Sequence, residues 1–218
     1  EHGGMFVLDC VASGTVFVNL EDTGVDVLLT APQKGWSASP CAALVMMSPR
    51  ARTRLDETTS SSFANDLKKW TQIMETYESG AHAYHATMPT DALRHFRDAL
   101  IEAEAFGLEA LKAAQIRLGQ QVRRLLGRYQ YKSVAAEGFE APSVVVCFAP
   151  SAEMKSGKAF AEQGLQIAAG VPLECGERED YASFRIGLFG LDKLSDPDRT
   201  VAHLETALEQ IRGQNMPE

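Results

Sequence analysis

The chain has 218 residues, of which 45% are hydrophobic and 23% charged, and a formal net charge of −8. That length can bury one good core or two smaller ones; the acidic balance argues against nucleic acid as a partner, and no apolar run approaches the ~20 residues that span a bilayer. No signal peptide is visible, and Cys10, Cys41, Cys147 and Cys175 are scattered without a Cys-x-x-Cys pair, which reads as reduced thiols in a cytoplasmic protein and not as a metal site.

Residues 1–48 hold three strand candidates, at 5–11, 25–30 and 42–47, with a short strand or irregular extended piece over Thr15–Leu20. Turns come from Gly14, Gly24, Gly35, Pro32 and Pro40. The second and third strands are too close in sequence for a helical crossover, so they are expected to pair antiparallel. The first ends in a carboxylate, Asp9. Lys34 lies in the turn between the other two, in Ala31-Pro32-Gln33-Lys34-Gly35-Trp36. A lysine in a tight turn between buried strands has limited access to water, and desolvation favours the neutral, nucleophilic amine. That is the requirement of a Schiff-base lysine; a solvated turn lysine fits the spacing too. In parallel α/β sheets ligands bind beyond the carboxyl ends of strands, so Asp9 and Lys34 are expected at one crevice. A carboxylate against a pyridinium nitrogen and an amine on an aldehyde carbon are the contacts that pyridoxal phosphate needs.

Residues 49–63 contain Arg50, Arg52, Arg54 and the hydroxyl tract Thr58–Ser62; the tract could bind phosphate through its hydroxyls, but it reads as a plain loop. Asn65–Glu78 has helical spacing, with Trp70 as a packing residue. His82 and His85 have no third ligand nearby and make a poor metal site. Ala92–Phe106 is an amphipathic helix, with Thr90 or Asp91 as its cap; Gly107 ends it. A second helix runs to about Gly127 with Leu108, Leu111, Ala114 or Gln115, Leu118, Val122 and Leu125 on one face. Then follow a strand at 143–148, a helix over 152–169, a strand over 181–190, and a closing helix from Pro197 to about Arg212 capped by Ser195 or Asp196. This order suggests a small α+β domain. Arg185 stands in the apolar strand Phe184-Arg185-Ile186-Gly187-Leu188, where a guanidinium needs an anionic partner or a route to water. Asp180 or Asp192 could serve; so could a substrate carboxylate held bidentately.

Val7-Leu8-Asp9-Cys10-Val11-Ala12-Ser13, then Thr23-Gly24-Val25-Asp26-Val27-Leu28, then Gln33-Lys34, resembles the class V, fold-type I pyridoxal phosphate aminotransferases, nearest the alanine– and serine–glyoxylate (or pyruvate) group. The likeness runs from Met5 to Ile211. It implies an α/β fold: the C-terminal half of a large cofactor-binding domain (a mixed sheet with helices) over 1–106, and a small C-terminal α+β domain over 107–218. It implies pyridoxal 5′-phosphate as cofactor, Lys34 as the catalytic Schiff-base lysine, and Asp9 on the pyridine nitrogen. Val11 would pack on the ring face. Gln33, Tyr84 and Thr87 would hold the phosphate, the last two across the interface of a homodimer with shared active sites. The match at Tyr84-His85-Ala86-Thr87 carries that assignment, although a capped loop explains the same residues. Arg185 would bind the substrate carboxylate. The substrates would be a small amino acid, of alanine or serine type, and a 2-oxo acid such as glyoxylate or pyruvate.

Glu1-His2-Gly3-Gly4 leads at once into a core-like strand, without Met at position 1. The chain is therefore expected to be the C-terminal portion of a larger polypeptide, whose N-terminal half is a separate segment or chain. Three rivals stand: a cysteine desulfurase or related lyase, disfavoured by Gln33 before the lysine; a 2-aminoethylphosphonate aminotransferase; and a non-catalytic dimerisation domain. Trp36 could line a substrate pocket or belong to the core.

Overall fold

A computed structural model describes residues 3–214, so Glu1 and His2, on which the reading of the chain's start rested, lie outside the described residues. In chain order the elements are β1 (Val7–Asp9), α1 (Leu20–Thr23), β2 (Val27–Thr30), β3 (Leu44–Met47), α2 (Pro49–Asp56), α3 (Leu67–Glu78), α4 (Thr90–Phe106), α5 (Leu108–Arg128), β4 (Val144–Phe148), α6 (Ala152–Ser156), α7 (Lys158–Ala161), β5 (Ala168–Ala169), β6 (Ser183–Gly187), α8 (Leu191–Leu194) and α9 (Pro197–Gln214).

The strands form two three-stranded sheets. In the first, ordered β1-β2-β3, β1 runs parallel to β2 with Val7 opposite Val27, and β3 runs antiparallel to β2 with Val27 opposite Met47. In the second, ordered β4-β6-β5, every pairing is antiparallel, with Arg185 opposite both Val146 and Ala168. Phe184 and Ile186 point from one face of β6 into a core shared with α5, α7 and α9, where Leu118, Leu125, Phe160, Leu208 and Ile211 are buried. Burial of each such side chain stabilises by about 1.5–3 kcal/mol.

The two sheets are joined through the loop after β1. The Thr15 hydroxyl donates to the Leu111 carbonyl in α5 at 2.9 Å, and the Ser143 hydroxyl donates to the Ala12 carbonyl at 2.8 Å. Gln115, fully buried, donates its amide to the Pro142 and Leu188 carbonyls at 3.2 and 3.3 Å. This glutamine occupies a position on α5 where the helical spacing asks for an apolar residue. It ties together the backbone just before β4 and just after β6, at one end of the second sheet.

Most expected elements are present; one is added, the irregular alternative for Thr15–Leu20 holds over the strand, and three readings are corrected. Residues 49–56, for which no element was expected, form a helix: Ser48 caps it, accepting from the Ala51 N–H, and Pro49 takes the first-turn position, where its missing N–H costs nothing. The hydroxyl tract after it does remain a loop. The single helix expected over 152–169 is two short helices broken at Gly157, whose φ of 81° is left-handed, followed by the two-residue β5. Thr15–Leu20 contributes no strand; the chain there is irregular and enters α1, capped by Asn19. Pro89 and not Thr90 or Asp91 precedes the first helical residue of α4, with no side-chain cap. Leu108, expected on the buried face of α5, is exposed, because it lies at the helix's first residue, outside the shared core. At the closing helix, Asp196 is the cap, its carboxylate accepting from the Arg199 N–H at 3.0 Å. Among the described residues no helix is long and apolar enough to cross a membrane. All four cysteines are free thiols: Cys10 and Cys147 are buried, Cys41 is half-buried and Cys175 is exposed.

Candidate active site

β1 and β2 are parallel, so the residues that follow each of them emerge at the same edge of the sheet. This is where the loops of Asp9 and Lys34 meet. The Cys10 N–H donates to the Leu29 carbonyl at 2.8 Å, and the Thr30 hydroxyl donates to the Cys10 carbonyl at 3.3 Å, extending the β1–β2 pairing to its end. Beyond that point the loops touch backbone to backbone. A Cβ at Gly35 would stand 2.0 Å from the Gly14 carbonyl oxygen, so only glycine fits there.

Asp9 is exposed, and its Oδ1 accepts from the Val11 N–H at 2.8 Å, a turn that fixes the carboxylate at the strand's end. Val11 is half-buried beside it. Burial, with the Asp9 charge adding to it, pushes the Cys10 thiol up; Cys10 is therefore a packing residue held in its neutral form.

Lys34 is half-buried in a turn closed by two hydrogen bonds, Ser37 N–H to Lys34 carbonyl at 3.1 Å and Ala38 N–H to Pro32 carbonyl at 3.0 Å. Ser37 has a left-handed φ of 58°, uncommon for a residue with a side chain. Its hydroxyl accepts from the Leu191 N–H at 3.0 Å, so the turn is docked on the second sheet's end. Lys34 Nζ lies 5.4 Å from the Phe189 ring centroid, a cation–π distance. Gln33, Lys34, Ser37, Glu102, Phe189 and Asp192 line a cavity of about 450 Å³. Trp36 belongs to an aromatic group with Phe17, at 4.6 Å, and Phe96, at 6.4 Å, which ties the loop to the rest of the molecule.

Asp9 and Val11 do not line this cavity, and the remaining site candidates lie apart from it as well. Tyr84 and Thr87 are exposed in the loop between α3 and α4, and their hydroxyls are 3.1 Å from each other. Arg185 stands on the face of β6 opposite Phe184 and Ile186, with Nε donating to the Ala169 carbonyl at 2.9 Å. Neither carboxylate suggested as its partner is free: Asp180 pairs with Arg178 and Asp192 with Lys193. Among the described residues Arg185 makes no ion pair, which leaves the rest of its guanidinium fork available to an anion. Sequence reasoning missed Ser37, Glu102 and Phe189. Phe189 stood four residues past Arg185 in the same segment; Ser37 and Glu102 carried no signal that distance along the chain could reveal.

No family model matches the chain. It is 26% identical over 214 residues to the soluble hydrogenase small subunit of Synechococcus sp., an alignment covering 96% of this chain and 53% of that protein. It is 34% identical over 108 residues to alanine–glyoxylate aminotransferase 1 of Saccharomyces cerevisiae, covering 47% of this chain and 28% of the yeast enzyme. Among solved structures, alanine–glyoxylate aminotransferase from Nostoc sp. superposes with a TM-score of 0.79 at 23% identity, covering 96% of this chain and 54% of its own. Pyridoxamine–pyruvate aminotransferase from Mesorhizobium loti superposes with a TM-score of 0.80 at 20% identity, covering 98% and 53%. The fold is therefore that of the C-terminal portion of the fold-type I aminotransferases, as the resemblance implied. The chain spans about half the length of the Synechococcus relative and of these two structures.

Proposed function

We propose that the chain is the C-terminal portion of a class V pyridoxal phosphate aminotransferase, with Lys34 as the lysine that bonds the cofactor aldehyde. The observation that supports this reading is that the loops following two parallel strands, one after Asp9 and one holding Lys34, meet backbone to backbone at Gly14 and Gly35. The residues suit the group. Lys34's amine meets the Phe189 ring face and makes no ion pair among the described residues, so a carbonyl carbon has no ion pair to displace. Asp9 keeps Oδ2 outside its own turn. When bound, the cofactor supplies an electron sink for a carbanion at the substrate Cα.

In this reading Asp9 holds a proton on the ring nitrogen through its negative charge. Val11 packs on the ring, and Gln33 donates to the phosphate. Tyr84 and Thr87 reach the phosphate of a second copy, which places the 80–89 loop at a homodimer interface. Arg185 orients the substrate carboxylate, and Lys34 Nζ moves a proton at the substrate Cα. The substrates are a small amino acid of alanine or serine type and a 2-oxo acid such as glyoxylate or pyruvate. The boundary between the large-domain portion and the small domain falls at Gly107, where α4 and α5 meet. Four free thiols suit a reducing, cytoplasmic setting.

The test is to incubate the purified chain with pyridoxal phosphate, reduce with borohydride, and map the added mass. The expected outcome is label on Lys34, lost in Lys34→Ala. Label spread over surface lysines, unchanged by that substitution, would overturn the reading. A substrate panel then separates alanine, serine and 2-aminoethylphosphonate as donors. A second reading rests on the Synechococcus relative alone: the chain as the small subunit of a hydrogenase-type assembly. It predicts hydrogen-dependent dye reduction by the purified complex.

A further inference from the structure

A second cavity, of about 410 Å³, opens between the 165–167 segment, β6, α8 and the first turns of α9. It shares one wall residue, Asp192, with the Lys34 cavity. α8 contributes to both: Leu191 lines the Lys34 side, and Lys193 lines this one.

The floor is apolar. Leu165 and Ile167 are half-buried against the large core, and Ile186 and Leu204 keep 7% and 6% of their surface. These four residues border the core and are not sealed within it. A ligand that covers them removes apolar surface from water.

The rim is charged, and its balance is positive. Lys193 Nζ lies 3.3 Å from the Asp192 carboxylate, so those two charges offset each other. Arg199 is left over. Its Nη2 donates to the Asp192 carbonyl at 3.0 Å, which fixes the guanidinium at the rim, and it makes no ion pair among the described residues. Asp196 stands outside the lining and is committed to the Arg199 backbone N–H. The Thr200 hydroxyl is occupied as well, by the Lys193 and Asp196 carbonyls. His203 follows Arg199 by four residues, one turn along the same face of α9, and its exposed ring has no partner among the described residues. An apolar floor under a few convergent polar groups is the make-up of small-molecule sites. In a chain of net charge −8, the one uncompensated charge on this rim is a cation.

We propose that this cavity is a second binding site, distinct from the Lys34 site, for an amphipathic monoanion: a carboxylate carrying an apolar tail. The tail covers the floor, and the carboxylate takes charge-assisted hydrogen bonds from the Arg199 fork beside His203. One free cation matches one negative charge; a dianion would leave its second charge unpaired.

The experiment is calorimetric titration of the full chain with octanoate, and separately with acetate and with octylamine. Variants are Arg199→Gln, Arg199→Lys, Ile167→Ala, Lys34→Ala and Arg185→Lys. The expected result is one octanoate per chain. Acetate, six methylene groups shorter, should bind at least about a hundredfold more weakly, and octylamine at least about tenfold more weakly. Arg199→Gln should weaken octanoate at least about tenfold, with part of the loss restored in Arg199→Lys, and Ile167→Ala should weaken it by a smaller factor. Binding persists in Lys34→Ala and Arg185→Lys. Arg199 is exposed, so its replacement leaves the core intact and its result stands if Ile167→Ala proves unstable. Loss in Arg185→Lys with retention in Arg199→Gln would put the acid at the proposed substrate site and overturn this inference while supporting the other. Acetate binding as tightly as octanoate would overturn the role of the floor, and octylamine binding as tightly would overturn that of the rim. Absence of octanoate binding at millimolar concentration would overturn the site as a whole.

Discussion

The two sheets of this molecule are built on different principles. The second packs against α5, α7 and α9 around a core of eighteen buried hydrophobic residues; the first has a cluster of three, Cys10, Val25 and Leu28. The first sheet also leaves Phe6, Val7 and Met46 exposed. Yet Asp9 and Lys34 are on the first. The reactive candidates are carried by the region with the smaller core of its own, and their placement depends on polar ties to the region with the larger one. Thr15 and Ser143 make those ties.

The sharpest way to break this contrast is to remove one leucine from each region. Leu208→Ala, at a fully buried site in the large core, should cost about 3–5 kcal/mol in urea unfolding, and Leu28→Ala about 2. Equal losses would mean that the two regions share one core. Gly35→Ala comes next. Its Cβ meets backbone and not a movable side chain, so a loss of about 1–3 kcal/mol is expected, with faster amide exchange over residues 10–15. Unchanged exchange there would dissolve the link between the Asp9 and Lys34 loops. Thr15→Val removes one tie and leaves the Leu111 carbonyl with its helical bond alone; about 1 kcal/mol should be lost.

Acid provides a fourth, smaller probe. In the first region Asp26 is buried, and the Phe6 N–H, with Arg50 and Ser48, holds its carboxyl below the usual range. A depressed carboxyl contributes stability that is present above its unfolded pKa, about 3.9, and is lost as pH falls through the lower folded value. Asp26→Asn should therefore flatten the pH dependence of stability below about pH 4; a parallel, unflattened curve would show that Asp26 is not the group responsible. Smallest is Glu177→Gln in the second region. It should quicken exchange of the 173–175 amides without moving the global midpoint.

What the sequence disclosed follows the same division. Periodicity located α4, α5, α9 and the strands, because their burial patterns repeat at fixed spacing. Asp9 and Lys34 were legible because turn signals and apolar runs put both at strand ends. The two breaks at 152–169 were hidden: Gly157 alone, inside an otherwise helical stretch, does not announce a left-handed φ. Ser48-Pro49 announced the start of α2, but the helix buries only Ala51, so it shows no apolar stripe and no element was read there. Gln115 was named only as an alternative to Ala114, since spacing says that a position is buried and not that a polar group there will find two carbonyls. Glu102 and Ser37 reach the Lys34 cavity through tertiary contact only, which local pattern does not encode.

The Gly14–Gly35 contact has a bearing on redesign. Where two loops meet through side chains, their separation can be retuned by exchanging a larger residue for a smaller one. Here they meet through bare backbone, and no such handle exists. The spacing of the two backbones that carry Asp9 and Lys34 is set by peptide geometry, like the tooth spacing of a comb. An engineer could repaint Gln33, Glu102 or Phe189 to receive a different guest, but the span between Asp9 and Lys34 would stay as inherited.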